Sequence, residues 1–184
     1  MTSPNRGPAA AADNRAALLA AARTLFSEQG YAVPLSLIAK AAGVGQGTLY
    51  RHFPSREALG AAVLEDTMAT LARLADDGDP AAFHRLWGHI IATLADSVGF
   101  LDAVLGPRGE LGEWVPSDDL ASLLATPLTR AQAAGTVDGG ITVNDLMLVL
   151  TMVHGATQRV SEPGARRIAA NRALELIGGG LQPS

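Results

Sequence analysis

An all-α protein is what this 184-residue sequence predicts, on three observations. Apolar residues recur at three- and four-residue spacing along most of the chain, the repeat of a helix face. Alanine, the strongest helix former, dominates a hydrophobic content of 48%. Aromatic residues make up only 4%, and little β-branched alternation marks strands. A chain of this length and apolar content can bury one substantial core or two small ones, which excludes a disordered protein.

The elements follow in order. The opening stretch 1–13, MTSPNRGPAAAAD, carries Arg6 and no apolar run longer than four alanines. It reads as a flexible arm, and as neither a signal peptide nor a membrane anchor. DNRAALLAAARTLFSEQG is a first helix with Asp13 as cap, Leu18, Ala22, Leu25 and Phe26 on one stripe, and Gly30 as its stop. PLSLIAKAAG is a short second helix opened by Pro34, whose missing N–H costs nothing in a first turn. It ends at Gly43 and turns Leu35, Ile38, Ala39 and Ala42 toward a core. QGTLYRHF gives a third short helix, stopped by Pro54. A long fourth helix starts at Ser55, a good cap, and runs through Leu59, Val63 and Leu71 to DDGDP.

Beyond Pro80 the helices lengthen. PAAFHRLWGHIIATLADSV is amphipathic; a short helical piece from Leu101 to Leu105 leads into the Gly/Pro-rich loop GPRGELGEWVPS. DDLASLLATPLTRAQAAG is a helix in which Pro127 predicts a kink or a break. Thr142 caps TVNDLMLVLTMVHGATQRV, and ARRIAANRALELIGGG closes the chain. These elements predict an arm (1–13), a head that includes the linking helix (14–74) and a larger helical domain (75–184).

Charge is distributed unevenly between these parts. The net charge is −4, yet residues 1–60 hold Arg6, Arg15, Arg23, Lys40, Arg51 and Arg56 against Asp13, Glu28 and Glu57, a local +3. The remainder carries −7. A basic head on an acidic body directs any polyanion to the head. The absence of cysteine excludes disulfides and thiolate metal sites. No segment reaches the ~18 uninterrupted apolar residues of a spanning helix, so a cytoplasmic protein without a membrane partner is expected.

Enzyme chemistry finds no foothold. His84 and His89 lie about 140° apart around a helix, no metal-ligand spacing occurs, and Asp76-Asp77 and Asp118-Asp119 sit at helix boundaries, where carboxylates cap. Neither catalytic residues nor a metal nor a cofactor is expected.

The most informative stretch is GVGQGTLYRHF, residues 43–53. A dinucleotide turn needs G-x-G-x-x-G after a strand; here Gly43, Gly45 and Gly47 follow a helix. A phosphate-binding loop needs Lys and Ser or Thr after its last glycine, and Gly47 is followed by Thr48 and Leu49. What remains is helix, tight turn, helix. Gly43 ends one helix with a positive φ, Val44 drops into the core, Gly45 begins the next, and Gly47 lets a neighbouring helix or a DNA strand approach. Leu49 and Phe53 define the buried side, so Gln46, Thr48, Tyr50, Arg51 and His52 face outward. In a major groove Gln reads adenine, Arg reads guanine, and hydroxyls and His hold phosphates.

The stretches AARTLFSEQGY, IAKAAGV, GTLYRHF and SREAL, within Ala16 to Leu59, resemble the DNA-binding domain of the TetR family of transcriptional regulators. The resemblance covers about a third of the chain and implies a three-helix head with a recognition helix from Gly45 to His52. By position, Gln46 and Arg51 correspond to base readers; Gly47, Thr48, Tyr50 and His52 to groove and phosphate contacts; Arg56 to a cation on the backbone. Lys40 on the second helix is a further phosphate candidate. Val33 and Gly45 stand where the family often carries capping Thr or Ser, so two hydroxyls that commonly touch phosphate are missing.

The resemblance also implies a C-terminal domain that binds an effector and dimerises. Phe83, Trp87, Phe100, Trp114, Met147 and His154 are then the candidate pocket residues. Leu146, Leu150 and Val153 on one helix, with Ala170, Leu174 and Ile177 on the last, are the candidate dimer surface. The implied function is a homodimeric repressor released from a palindromic double-stranded DNA operator by a small-molecule effector. Two alternatives stand beside it: a ligand-binding helical protein or enzyme whose head does not read DNA, and a regulator without a ligand.

Overall fold

The computed structural model describes residues 8–79, 81–97, 100, 118–160 and 162–177. Eight helices make up the regular structure among them: α1 (Pro8–Gln29), α2 (Leu35–Ala41), α3 (Gln46–His52), α4 (Arg56–Ala75), α5 (Ala82–Asp96), α6 (Asp118–Ala133), α7 (Val143–Gln158) and α8 (Pro163–Ile177). The short helical piece expected from Leu101 to Leu105, and the loop after it with Trp114, lie outside the described residues. The chain divides into two compact units, 1–66 and 67–184, and the division falls within α4, earlier than the boundary expected after residue 74.

In the first unit α1 starts at Pro8, not after Asp13. Proline at the first helical position followed by four alanines is strong helix chemistry, so residues 8–13 of the expected arm are helical and Asp13 is no cap. Leu18, Ala22 and Phe26 of its stripe are buried together with Ile38 and Ala39 of α2, Leu49 of α3, Phe53, and Leu59 and Val63 of α4. Arg23 of α1 pairs with Asp66 of α4. α2 begins one residue later than expected, with Pro34 as its N-cap. Gly43 takes φ +69, its N–H donates to Lys40 O and that of Val44 to Ala39 O at 3.0 Å. These two bonds close a Schellman motif, so the turn into α3 is set by helix-end chemistry.

In the second unit α5 is central: it packs against α6, α7 and α8, and α7 packs against α8. Its buried stripe, from Phe83 through Leu86, Trp87, Ile90 and Ile91 to Leu94, is wide because three neighbours surround it. α6 runs on through Pro127, which is buried beside Leu124 and Leu128, so the expected break does not occur. At the head of α7 the Thr142 hydroxyl accepts from the Asp145 N–H, while the Asp145 carboxylate accepts from the Thr142 N–H at 2.8 Å. That reciprocal cap holds the Asp145 carboxyl below its ordinary range, the Thr142 side chain contributing most. Arg167 of α8 reaches Asp96 of α5 with two bonds of 2.6 and 2.5 Å, and Arg85 joins Asp77 and Asp79 ahead of α5.

Candidate nucleic-acid interface

α3 is a two-turn helix whose first residue follows Gly45, an extended N-cap without a side-chain acceptor. Its lower side is fixed by Leu49, 1% exposed, and by Phe53, 3% exposed, whose N–H donates to Leu49 O at 2.8 Å. The opposite side carries Gln46, Gly47, Tyr50 and Arg51, all exposed, with Thr48 and His52 half-buried beside them. Tyr50 is 52% exposed, and the His52 ring lies 6.2 Å from that of Phe53. Lys40 is exposed on α2, the other helix of the pair.

Gly47 has an ordinary φ, and a Cβ built on it would meet nothing within 4 Å. No neighbouring helix approaches Gly47 among the described residues, and its Cα faces open space. Val44 is half-buried and not fully in the core; its N–H closes the turn instead.

Arg56, expected on a DNA backbone, makes two bonds inside the head. Its Nη1 donates to Tyr31 O at 2.5 Å and to Val33 O at 2.6 Å, so both N–H groups of that nitrogen are engaged inside the head. Its guanidinium carbon stands 5.6 Å from the centre of the Tyr31 ring. Burial raises the Tyr31 phenol above its ordinary range, with Glu57 adding to the shift and Arg56 opposing it. Arg15, though exposed, sets its guanidinium carbon 5.4 Å from the centre of the Phe53 ring.

Five of the six candidate pocket residues fall within the described residues; Trp114 lies outside them. Phe83, Trp87, Phe100 and His154 are 0–5% exposed; Phe83 and Trp87 stack at 6.3 Å, and the His154 Nε2 lies 3.1 Å from the Gln158 amide. Phe83, Phe100 and His154 are buried, as large side chains on helices with several neighbours commonly are. Met147 is half-buried. Trp87 borders a groove of about 250 Å³, between α5 and α8, whose other walls include Ile91, Arg167, Asn171, Ala170 and Leu174.

The candidate dimer residues need a similar correction. Leu146, Leu150 and Val153 are fully buried within the single chain and Ala170 nearly so, leaving no surface for a second copy; Leu174 and Ile177 are half-buried. The apolar residues that α7 and α8 expose are others: Leu148, Met152, Ile168 and Leu176, 46–71% exposed. A signal for two of them stood in the sequence, since LMLVLTMV is apolar on more sides than one core can cover.

Two short helices joined by a three- to four-residue turn, the second with an exposed polar face, define a helix-turn-helix protein. The family model for bacterial regulatory proteins of the tetR family matches residues 18–63. The HTH-type transcriptional regulator UidR of Escherichia coli K12 is 44% identical over 61 residues, which span 32% of this chain and only 31% of UidR. Agreement with solved structures runs much further. A TetR transcriptional regulator from Streptomyces coelicolor is 33% identical over 92% of this chain and 99% of its own, with a TM-score of 0.65. A TetR transcription regulatory protein from Mycobacterium vanbaalenii is 29% identical over 91% and 96%, with a TM-score of 0.64. The chain belongs to the TetR family and is a helix-turn-helix transcriptional regulator.

Proposed function

We propose that the protein is a homodimeric, non-enzymatic repressor in the cytoplasm that binds a near-palindromic operator and releases it when a small molecule binds the second unit. The observation that carries the DNA-binding part is the two-sided α3: Leu49 and Phe53 buried, Gln46, Gly47, Tyr50 and Arg51 exposed. Gln46 and Arg51 read base edges, while Thr48, Tyr50, His52 and Lys40 hold phosphates. A single two-turn helix binds weakly, and a two-fold partner adds a second half-site. Leu148 and Met152 of α7, with Ile168 and Leu176 of α8, form the self-association face in this reading. Four large apolar side chains on two packed helices are more than scattered exposure would leave.

Release follows from differential affinity. An effector that favours an arrangement with the two heads at the wrong separation must bind that arrangement better than the DNA-bound one. The groove beside Trp87 is the effector space that the described residues offer. A mobility-shift assay with the DNA upstream of the protein's own gene tests the reading. Sequence-specific retardation that a matched non-specific duplex does not compete away is expected; no such retardation at low salt leaves a ligand-binding protein whose head does not read DNA.

A further inference from the structure

We infer that Arg56 is a positioning residue for DNA binding: it clasps the α1–α2 turn and thereby sets the helix pair, instead of gripping a phosphate. This rests on the DNA-binding reading above. Backbone geometry and packing shape the turn. Gly30 ends α1 with φ +83, the Val33 N–H donates to Gly30 O at 3.2 Å, and the Val33 side chain is buried. Pro34 then starts α2 with no side-chain cap, where a Ser or Thr hydroxyl would otherwise fix the entry geometry. Arg56 supplies the missing restraint from the side, through two charge-assisted bonds to carbonyls two residues apart.

Both ends of the clasp are anchored. The Ser55 hydroxyl accepts the Ala58 N–H and caps the turn of α4 from which Arg56 projects. The Tyr31 ring under the guanidinium packs 5.1 Å from the ring of buried Phe26. α2 has seven residues, too few to hold a position by its own helical stability. It follows the turn, and α3 follows α2 through the Gly43 motif.

The test compares wild type, Arg56→Ala and Arg56→Lys, each shown by circular dichroism to be fully folded at the assay temperature. Two readouts are used: the salt dependence of binding to a short duplex of arbitrary sequence, and amide hydrogen exchange without DNA. The clasp predicts faster exchange across residues 31–38 in Arg56→Ala and a roughly tenfold weaker affinity. It also predicts an unchanged salt slope, and an intermediate Arg56→Lys, whose ammonium keeps the donors but not the planar stacking on Tyr31. A slope reduced by about 0.9 per protomer in Arg56→Ala, the signature of one lost phosphate contact, overturns the inference. So does unaltered exchange in the turn, even if no protein variant binds DNA. Failure of wild type alone to bind the duplex at low salt counts against the proposed function, while the exchange comparison still decides the clasp.

Discussion

At the scale of single residues, two glycines at the helix-turn-helix have different physical duties. Gly43 must be glycine because its φ of +69 is costly for any side chain; Gly43→Ala should lower stability by about 1 kcal/mol or more in denaturant melts. Gly47 carries no such demand and faces open space. Gly47→Ala should leave the melt unchanged or raise it slightly, yet weaken operator binding, because the added methyl stands where DNA approaches. Equal effects of the two substitutions on stability would contradict this division. Gln46→Ala and Arg51→Ala should each relax preference at particular base pairs by ~1–3 kcal/mol, read on a panel of singly mutated operators. The exposure of Gln46 and Arg51 opposite buried Leu49 and Phe53 was legible from residue chemistry and spacing. The inward turn of Arg56 was not, because a long cationic side chain has many rotamers, and its partners are main-chain carbonyls with no sequence signature.

At the scale of elements, α7 shows how far periodicity reaches. Its apolar stripes at 146/150/153 and 148/152 are equally regular, and only packing against α5, α6 and α8 decides which one is interior. Leu150→Ala should therefore cost about 2–5 kcal/mol of stability. Leu148→Asp together with Ile168→Asp should preserve helical circular dichroism and shift the light-scattering mass to a single chain. A variant that remains dimeric would exclude this face. The cap of α7 gives a pH dependence with a definite sign. The folded Asp145 pKa is depressed by Thr142, so its contribution is complete above the unfolded carboxylate value and is lost as pH falls through the folded one. Asp145→Asn should accordingly lower the melting temperature near neutral pH, and the gap from wild type should close as pH falls below the ordinary carboxylate range. Element boundaries themselves were mostly readable, since Gly30, Gly43, Ser55 and Thr142 all terminate helices by local hydrogen-bond chemistry. The start of α1 was misjudged because Asp13, a good cap in isolation, sits inside a run of alanines that favours continuing the helix.

For the whole molecule, the positive charge of the head overstates what DNA meets. Arg23 is paired with Asp66, Arg15 lies over Phe53, and Arg56 is bound to the α1–α2 turn. Lys40 and Arg51 are the exposed cations on the helix pair. Lys40→Ala should flatten the salt dependence of DNA binding by about 0.9 per protomer, and Arg23→Ala should not. If both slopes fall alike, the head's net charge and not its geometry governs binding.

Helix content, the order of elements, the glycine turn and the buried pair Leu49 and Phe53 follow from interactions within a few residues of one another, and such interactions are written in periodicity and capping residues. Two features depend on contacts between segments far apart in the chain: which apolar stripe of α7 is interior, and where the guanidinium of Arg56 points. A period of 3.6 specifies a face without naming its neighbour, and a side chain's partner is chosen only when the helices are packed.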